Sequence, residues 1–224
     1  MYLLTETASP FALERWAAFF ANFGQFAKGF FYTLGISIGA LIVALLLGLI
    51  FGAMSSTHNK VLRGISRVYV EIFQNTPLLV QFVVVFYGIS ILTDGHVMIP
   101  ISLTAILCVG VYTGAYISEI IRTGIEAVPK GQTEAALSQG FTYADTMRII
   151  ILPQAVRTIL PPLTNQVVNL IKNTSTVAII SGADIMFTAK AWAYDTTNYV
   201  PAFAGAAFLY FIMCFPLATW ARRK

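Results

Sequence analysis

Residues 30–54 read FFYTLGISIGALIVALLLGLIFGAM, a run without a single Asp, Glu, Lys or Arg. A helix needs about 20 predominantly apolar residues to cross the hydrocarbon core of a bilayer, and this run exceeds that length. The same stretch carries Gly35-x-x-x-Gly39 and Gly48-x-x-x-Gly52, spacings that let another helix approach without a bulky side chain between them. A membrane-spanning helix, 26–54, is therefore the first element, and its glycines read as packing positions.

Working outward, charge-poor runs recur, and the length criterion gives about five spans in all. A basic loop with Lys60, Arg63 and Arg67 leads to a second span that runs to about Leu92 and is interrupted near Thr76-Pro77, where proline removes a helix donor. The polar break Thr93-Asp94-Gly95-His96 precedes a third span ending near Ile121; the fourth covers 156–180 and the fifth 200–221. Upstream, residues 10–26 place Trp16, Phe19, Phe20 and Phe23 at three- and four-residue steps around Glu14 and Arg15, the pattern of an amphipathic helix at the membrane surface. The expected organisation is an N-terminal interfacial segment 1–25, a permease-type membrane domain 26–221 and a basic tail 222–224. The fold class is all-α and polytopic.

The whole composition agrees: 57% of the 224 residues are hydrophobic and 11% charged, and the mean hydropathy is +0.74. A soluble domain is excluded by these values. The start of the chain lacks a basic segment, a short apolar stretch and a small-residue cleavage site in succession, so no removable signal peptide is expected. The net charge of +4 reports orientation rather than nucleic-acid binding, because the basic residues flank the apolar runs. With the C-terminus inside, Lys60, Arg63, Arg67, Arg122, Lys130, Arg148, Arg157, Arg222, Arg223 and Lys224 are cytoplasmic, against Arg15, Lys28, Lys172 and Lys190 outside. The expected topology is N-terminus outside, C-terminus cytoplasmic, with loop 122–155 facing the cytoplasm.

That loop has its own helix boundaries. Pro129-Lys130-Gly131 breaks the preceding helix, 132–139 forms a short helix ending at Gly140, and Thr142 to Asp145 has the spacing of a capping box. Ala135 and Ala136 permit close approach, and Glu134 offers a charge to a partner surface. The stretch Glu134-Ala135-Ala136, three residues, Gly140, nine residues, Ile150, one residue, Leu152-Pro153 resembles the EAA loop of the permease subunits of ATP-binding-cassette importers. Residues 69–81, Gly114-Ala115-Tyr116 through Arg122, 125–131 and Leu152-Pro153-Gln154-Ala155 through Thr174-Ser175 are similar to the polar-amino-acid branch of that family, so the resemblance covers about 26–221. Gln74 stands where many relatives carry Arg.

The resemblance implies a permease for polar amino acids in the cytoplasmic membrane of a prokaryote. It implies a dimer with a second copy or a paralogue, a separate ATPase subunit that carries ATP and Mg, an extracytoplasmic solute-binding protein, and alternating access. Glu134, Ala135, Ala136 and Gly140 are the residues expected to couple to the ATPase.

On the fourth span Asn165, Asn169, Lys172 and Thr176 recur at steps of four, three and four, with Gln166 and Asn173 alongside. Such a stripe avoids lipid, and two readings fit it: a path whose donors and acceptors replace the hydration of a zwitterion, or hydrogen-bonding glue between helices. Glu71, Gln74, Asn75 and Gln81 form a shorter polar face on the second span, and Tyr112, Tyr116, Glu119 and Thr123 recur on the third. Glu119 is expected to pair with Arg122 or Arg67 in a structural role. Cys108 and Cys214 lie in apolar runs without CxxC spacing, and His58 and His96 have no companion ligands, so no metal is expected.

The chain has no HExxH and no GxxxxGK[ST] phosphate loop, so ATP hydrolysis is expected on a partner and no cofactor in this chain. A stand-alone channel or secondary transporter is the alternative. No internal repeat supports it, and the structured loop is a feature that a channel does not need.

Overall fold

The structure, a computed structural model, describes Ser9 and residues 11–222, with side chains as far as Trp220. Of the basic tail, only the backbone of Arg222 lies within the described residues. These are helical throughout, with no strand among them: α1 (Leu13–Ala21), α2 (Phe23–Ser55), α3 (Lys60–Gln74), α4 (Leu78–Leu92), α5 (Ile101–Glu126), α6 (Lys130–Ser138), α7 (Leu152–Asn173), α8 (Ile185–Thr196) and α9 (Tyr199–Arg222). A π-helical turn, Thr146–Ile151, feeds α7, and a 3₁₀ helix, Thr174–Ile180, follows it.

Three of these helices are long and apolar enough to span: Phe23–Ser55, Ile101–Glu126 and Tyr199–Trp220. The pair α3 and α4 makes a fourth only if taken together, and the two are bent by 97° at their junction. Pro77 has no N–H to continue α3, and its own carbonyl accepts from Val80 and Gln81 to start α4. The Gln81 amide then donates back across the bend to the carbonyls of Phe73 (3.3 Å) and Thr76 (3.2 Å). The interruption expected near Thr76-Pro77 is thus a sharp corner, and Gln81 is its bracket. The more polar α7 is not among the three spanning helices, yet has 22 residues, about 33 Å at 1.5 Å per residue.

The central contact is α2 against α5. Ala40, Ala44, Gly48 and Gly52 of α2 are buried, and a Cβ built on Gly48 would lie 2.4 Å from Ile117 Cγ2. Only a residue without a side chain fits between the backbones there. Gly35 meets open space instead, so of the glycine pairs noted in the sequence Gly39, Gly48 and Gly52 make the close approach and Gly35 does not. This contact continues into one core that includes Leu78, Phe82, Val109, Leu170 and Val177. A second core gathers Phe19 and Phe26 around Trp192, with Ile185, Ala206 and Leu209, and so docks α1 and α8 onto α2 and α9.

α8 is fastened by Asp184, which is fully buried and caps it by accepting from the Phe187 amide at 2.8 Å. Thr33 of α2 accepts from the Ile185 amide at 3.2 Å. Cys108 is buried and Cys214 half-buried, and neither forms a disulfide.

Candidate functional site

The stripe residues of α7 meet α5 across a cavity of about 400 Å³, lined by Tyr112, Tyr116, Gln166, Asn169, Lys172 and Asn173. This lies at the lower end of the volumes that small-molecule sites occupy. Gln166 is buried at 9% exposure, and no hydrogen bond joins the side chains of Gln166, Asn169, Lys172 or Asn173 to another described residue. Tyr112 and Tyr116, one turn apart on α5, share a hydroxyl–hydroxyl bond of 3.1 Å. Lys172 also borders a smaller, mostly apolar cavity of about 300 Å³ that includes Ser175, Met186 and Tyr210.

Asn165 is exposed and Thr176 half-buried, and neither is among the lining residues of the amide cavity. Thr176 leaves the stripe because the backbone tightens to a 3₁₀ helix at Thr174, which breaks the 3.6-residue period on which the spacing relied. Tyr112 and Tyr116 had a visible helical spacing in the sequence, but nothing in the chain order placed them opposite α7.

A second polar cavity, about 550 Å³, lies further along α5, among Arg63, Arg67, Glu71, Gln74, Asn75, Glu119, Arg122 and Glu126. Tyr112, Tyr116, Glu119 and Glu126 follow one face of α5, so the two cavities open on a single helical stripe about 21 Å long at 1.5 Å per residue. Arg122 is bound to Glu119 through two guanidinium nitrogens, one at 2.9 Å, and to Glu126 at 2.5 Å. Those pairs sit at i+3 and i+4, and they hold α5 helical to Glu126 where the sequence reading began a loop at 122. Arg67 pairs instead with Glu71 at 3.7 Å. Gln74 donates to the Ala115 carbonyl at 3.2 Å, a backbone contact rather than an ion pair.

The short helix α6 begins at Lys130 behind Pro129 and ends in a left-handed glycine, Gly140, with φ +87°. The amide of Gly140 bonds the Leu137 carbonyl at 3.0 Å and that of Phe141 bonds the Ala136 carbonyl at 3.1 Å, which closes the helix end. Thr142 Oγ1 accepts from the Asp145 amide at 3.2 Å, as the capping pattern requires. Ala135 and Ala136 part company here: Ala136 is buried against its own chain, whereas Ala135, Glu134 and Leu137 are exposed. Glu134 and Lys130 border a cleft of about 610 Å³ toward His58, Tyr143 and Met147. His58 packs edge-on against Tyr143 at 5.1 Å, and no cluster of metal-ligating side chains occurs among the described residues.

Comparison with known proteins places this arrangement. Residues 44–223 match the family of binding-protein-dependent transport system inner membrane components. The chain is 38% identical over 202 residues to a probable glutamine ABC transporter permease, GlnM, of Bacillus subtilis (strain 168), covering 89% of this chain and 91% of that one. It is 35% identical over 187 residues to the glutamate/aspartate import permease GltJ of Escherichia coli (strain K12), covering 75% and 76%. Its fold superposes on a crystal structure of an amino acid ABC transporter with histidines at a TM-score of 0.85 and 31% identity, over 93% of this chain and 98% of that one. The inward-facing MetNI methionine transporter shares the fold alone, at a TM-score of 0.69 and 17% identity, over 89% and 95% of the two chains. This chain therefore belongs to the inner membrane components of binding-protein-dependent transport systems, the permease subunits of ATP-binding-cassette importers.

Proposed function

We propose that solute moves along the polar stripe of α5, from the amide cavity beside α7 to the charged cavity between α3 and the end of α5. The chain is the membrane-spanning subunit of an amino-acid importer, and its relatives are named for glutamine and for glutamate/aspartate. The observation that carries the path is the pair of polar cavities on one face of one helix. Amides acting as glue would be bonded to a neighbouring helix, and within this chain those of Gln166, Asn169 and Asn173 are not. They are free to replace the hydration of a passing zwitterion.

Energy enters through α6. Glu134, Ala135 and Leu137 present a charge, a small residue and an apolar side chain on one exposed surface, and a separate ATPase subunit holding ATP and Mg is the partner that fits it. Gly140 fixes the end of that helix. A second copy or a paralogue completes the path, a solute-binding protein delivers from outside, and closure of the ATPase pair moves the docked helices. The orientation places the N-terminus outside and the C-terminus in the cytoplasm of a prokaryotic cell.

The test is Asn169→Leu, with uptake of amino acids into proteoliposomes and membrane abundance measured on the same samples. Transport should fall at least tenfold while insertion is unchanged. Normal transport, or loss of insertion in parallel, removes Asn169 from the path.

A further inference from the structure

Lys172 brings a full positive charge to a cavity whose other lining residues, Tyr112, Tyr116, Gln166, Asn169 and Asn173, are all uncharged. We infer that Lys172 makes this cavity selective for amino acids of zero or negative net charge, its ammonium taking a carboxylate of the passing molecule and opposing a cationic side chain. The inference rests on the reading of the cavity as the transport path.

The charge is not cancelled from within. Lys172 forms no ion pair with a described residue. Glu119 and Glu126 on α5 and Asp184 ahead of α8 are engaged elsewhere, Glu126 with Arg122 at 2.5 Å. Glu119, less than one turn beyond Tyr116 on α5, is held by Arg122 through two bonds. Asp184, whose partner Tyr210 shares the smaller cavity with Lys172, is fully buried and accepts from Tyr210 Oη at 2.9 Å and from the Phe187 amide at 2.8 Å.

Asn169 and Lys172 are exposed in the single chain, and once the second copy of the proposed path walls the cavity, two like charges there repel more strongly than in water. A zwitterion places its carboxylate on Lys172 and its ammonium on amide or tyrosine oxygens, and an acidic side chain gains a second attraction. A guanidinium or a second ammonium finds no anionic wall. Selection then comes from the repulsive element as much as from the attractive one.

The experiment must bypass the external binding protein, which applies its own selection. Binding of radiolabelled glutamine, glutamate and arginine is measured on the permease assembled with its ATPase subunit in nanodiscs, without the binding protein. In the wild type arginine should bind at least tenfold more weakly than glutamine. Lys172→Glu should reverse the order, with arginine at least tenfold tighter than glutamate, and Asn169→Asp should shift the ratio the same way by a smaller factor while leaving Lys172 in place. Asn169→Leu should weaken all three alike. If Asn169→Leu does so but the arginine-to-glutamate ratio is unchanged in Lys172→Glu and Asn169→Asp, charge selection is wrong and the path survives. If no variant changes the binding of any amino acid, the path reading fails as well. Should Lys172→Glu not assemble, Asn169→Asp decides, and an unchanged ratio there overturns the inference.

Discussion

Tyr210 of α9 donates a 2.9 Å hydrogen bond to Oδ2 of Asp184, and Oδ1 of the same carboxyl caps α8 through the Phe187 amide. One buried acid thus ties α8 to α9, while Thr33 of α2 holds the adjacent Ile185 amide. The Asp184 side chain has no exposure to solvent, so each donor it loses leaves a polar atom unsatisfied. Tyr210→Phe should therefore destabilise the folded chain by about 1–3 kcal/mol, the cost of leaving a buried acceptor unpaired. Asp184→Leu, which removes the cap as well, should cost more. Thermal unfolding in detergent, followed by tryptophan fluorescence, reads both, and an unchanged midpoint in Tyr210→Phe shows that the bond contributes nothing.

The α2 to α5 contact makes opposite predictions for two glycines of one helix. Gly48→Val drives a side chain into Ile117 and should cost about 1–3 kcal/mol by overpacking. Gly35→Ala meets open space and should be neutral or stabilising, by up to about 1 kcal/mol from the stiffer backbone. The same unfolding assay separates them. Equal effects at the two positions would show that the close approach does not exist.

Coupling through α6 is tested by Gly140→Val and Glu134→Lys. At φ +87° Gly140 has space around it, so valine is opposed by backbone conformation, at roughly 1–2 kcal/mol, and not by a clash. Glu134→Lys reverses the charge on the exposed face. Both variants should insert normally, lose transport and release the ATPase subunit during purification. Low membrane abundance would mean that the loop serves stability alone, and normal uptake in both variants would end the coupling role.

Orientation is checked with single cysteines placed at Arg63, Ala144 and Gly95, all exposed positions, in a chain with Cys108 and Cys214 replaced by Ala. An impermeant maleimide should label Gly95→Cys from outside, and Arg63→Cys and Ala144→Cys only after the membrane is opened. The reverse pattern inverts the topology and puts α6 out of reach of a cytoplasmic ATPase.

The long apolar runs, the short loop helix with its glycine end and the cap at Thr142 were legible in the sequence, because each depends on residues within a turn or two of one another. The polar stripe on α7 was legible for the same reason from Gln166 to Asn173, although Asn165, also read into it, lies outside the cavity. What local spacing does not hold is the partner across a gap. Tyr112 and Tyr116 join Gln166 and Asn169 only because α5 and α7 pack together, and Asp184 finds Tyr210 only when α8 folds back.

The sequence by itself determined that this chain lives in a bilayer and roughly where its long helices lie, though α5 runs past the expected loop start to Glu126, α7 gives way to a 3₁₀ helix at Thr174, and α8 was not anticipated. Which side of each helix faces inward was left to the tertiary structure. In water an apolar stripe marks the core, but lipid is as apolar as leucine, and α2 is apolar on every side. Packing decided the matter by size: Ala40, Ala44, Gly48 and Gly52 turn inward where α5 approaches, and Leu45, Leu46, Leu49 and Ile50 turn out. With no difference in hydrophobicity to sort them, the faces are set by how closely two backbones can come together.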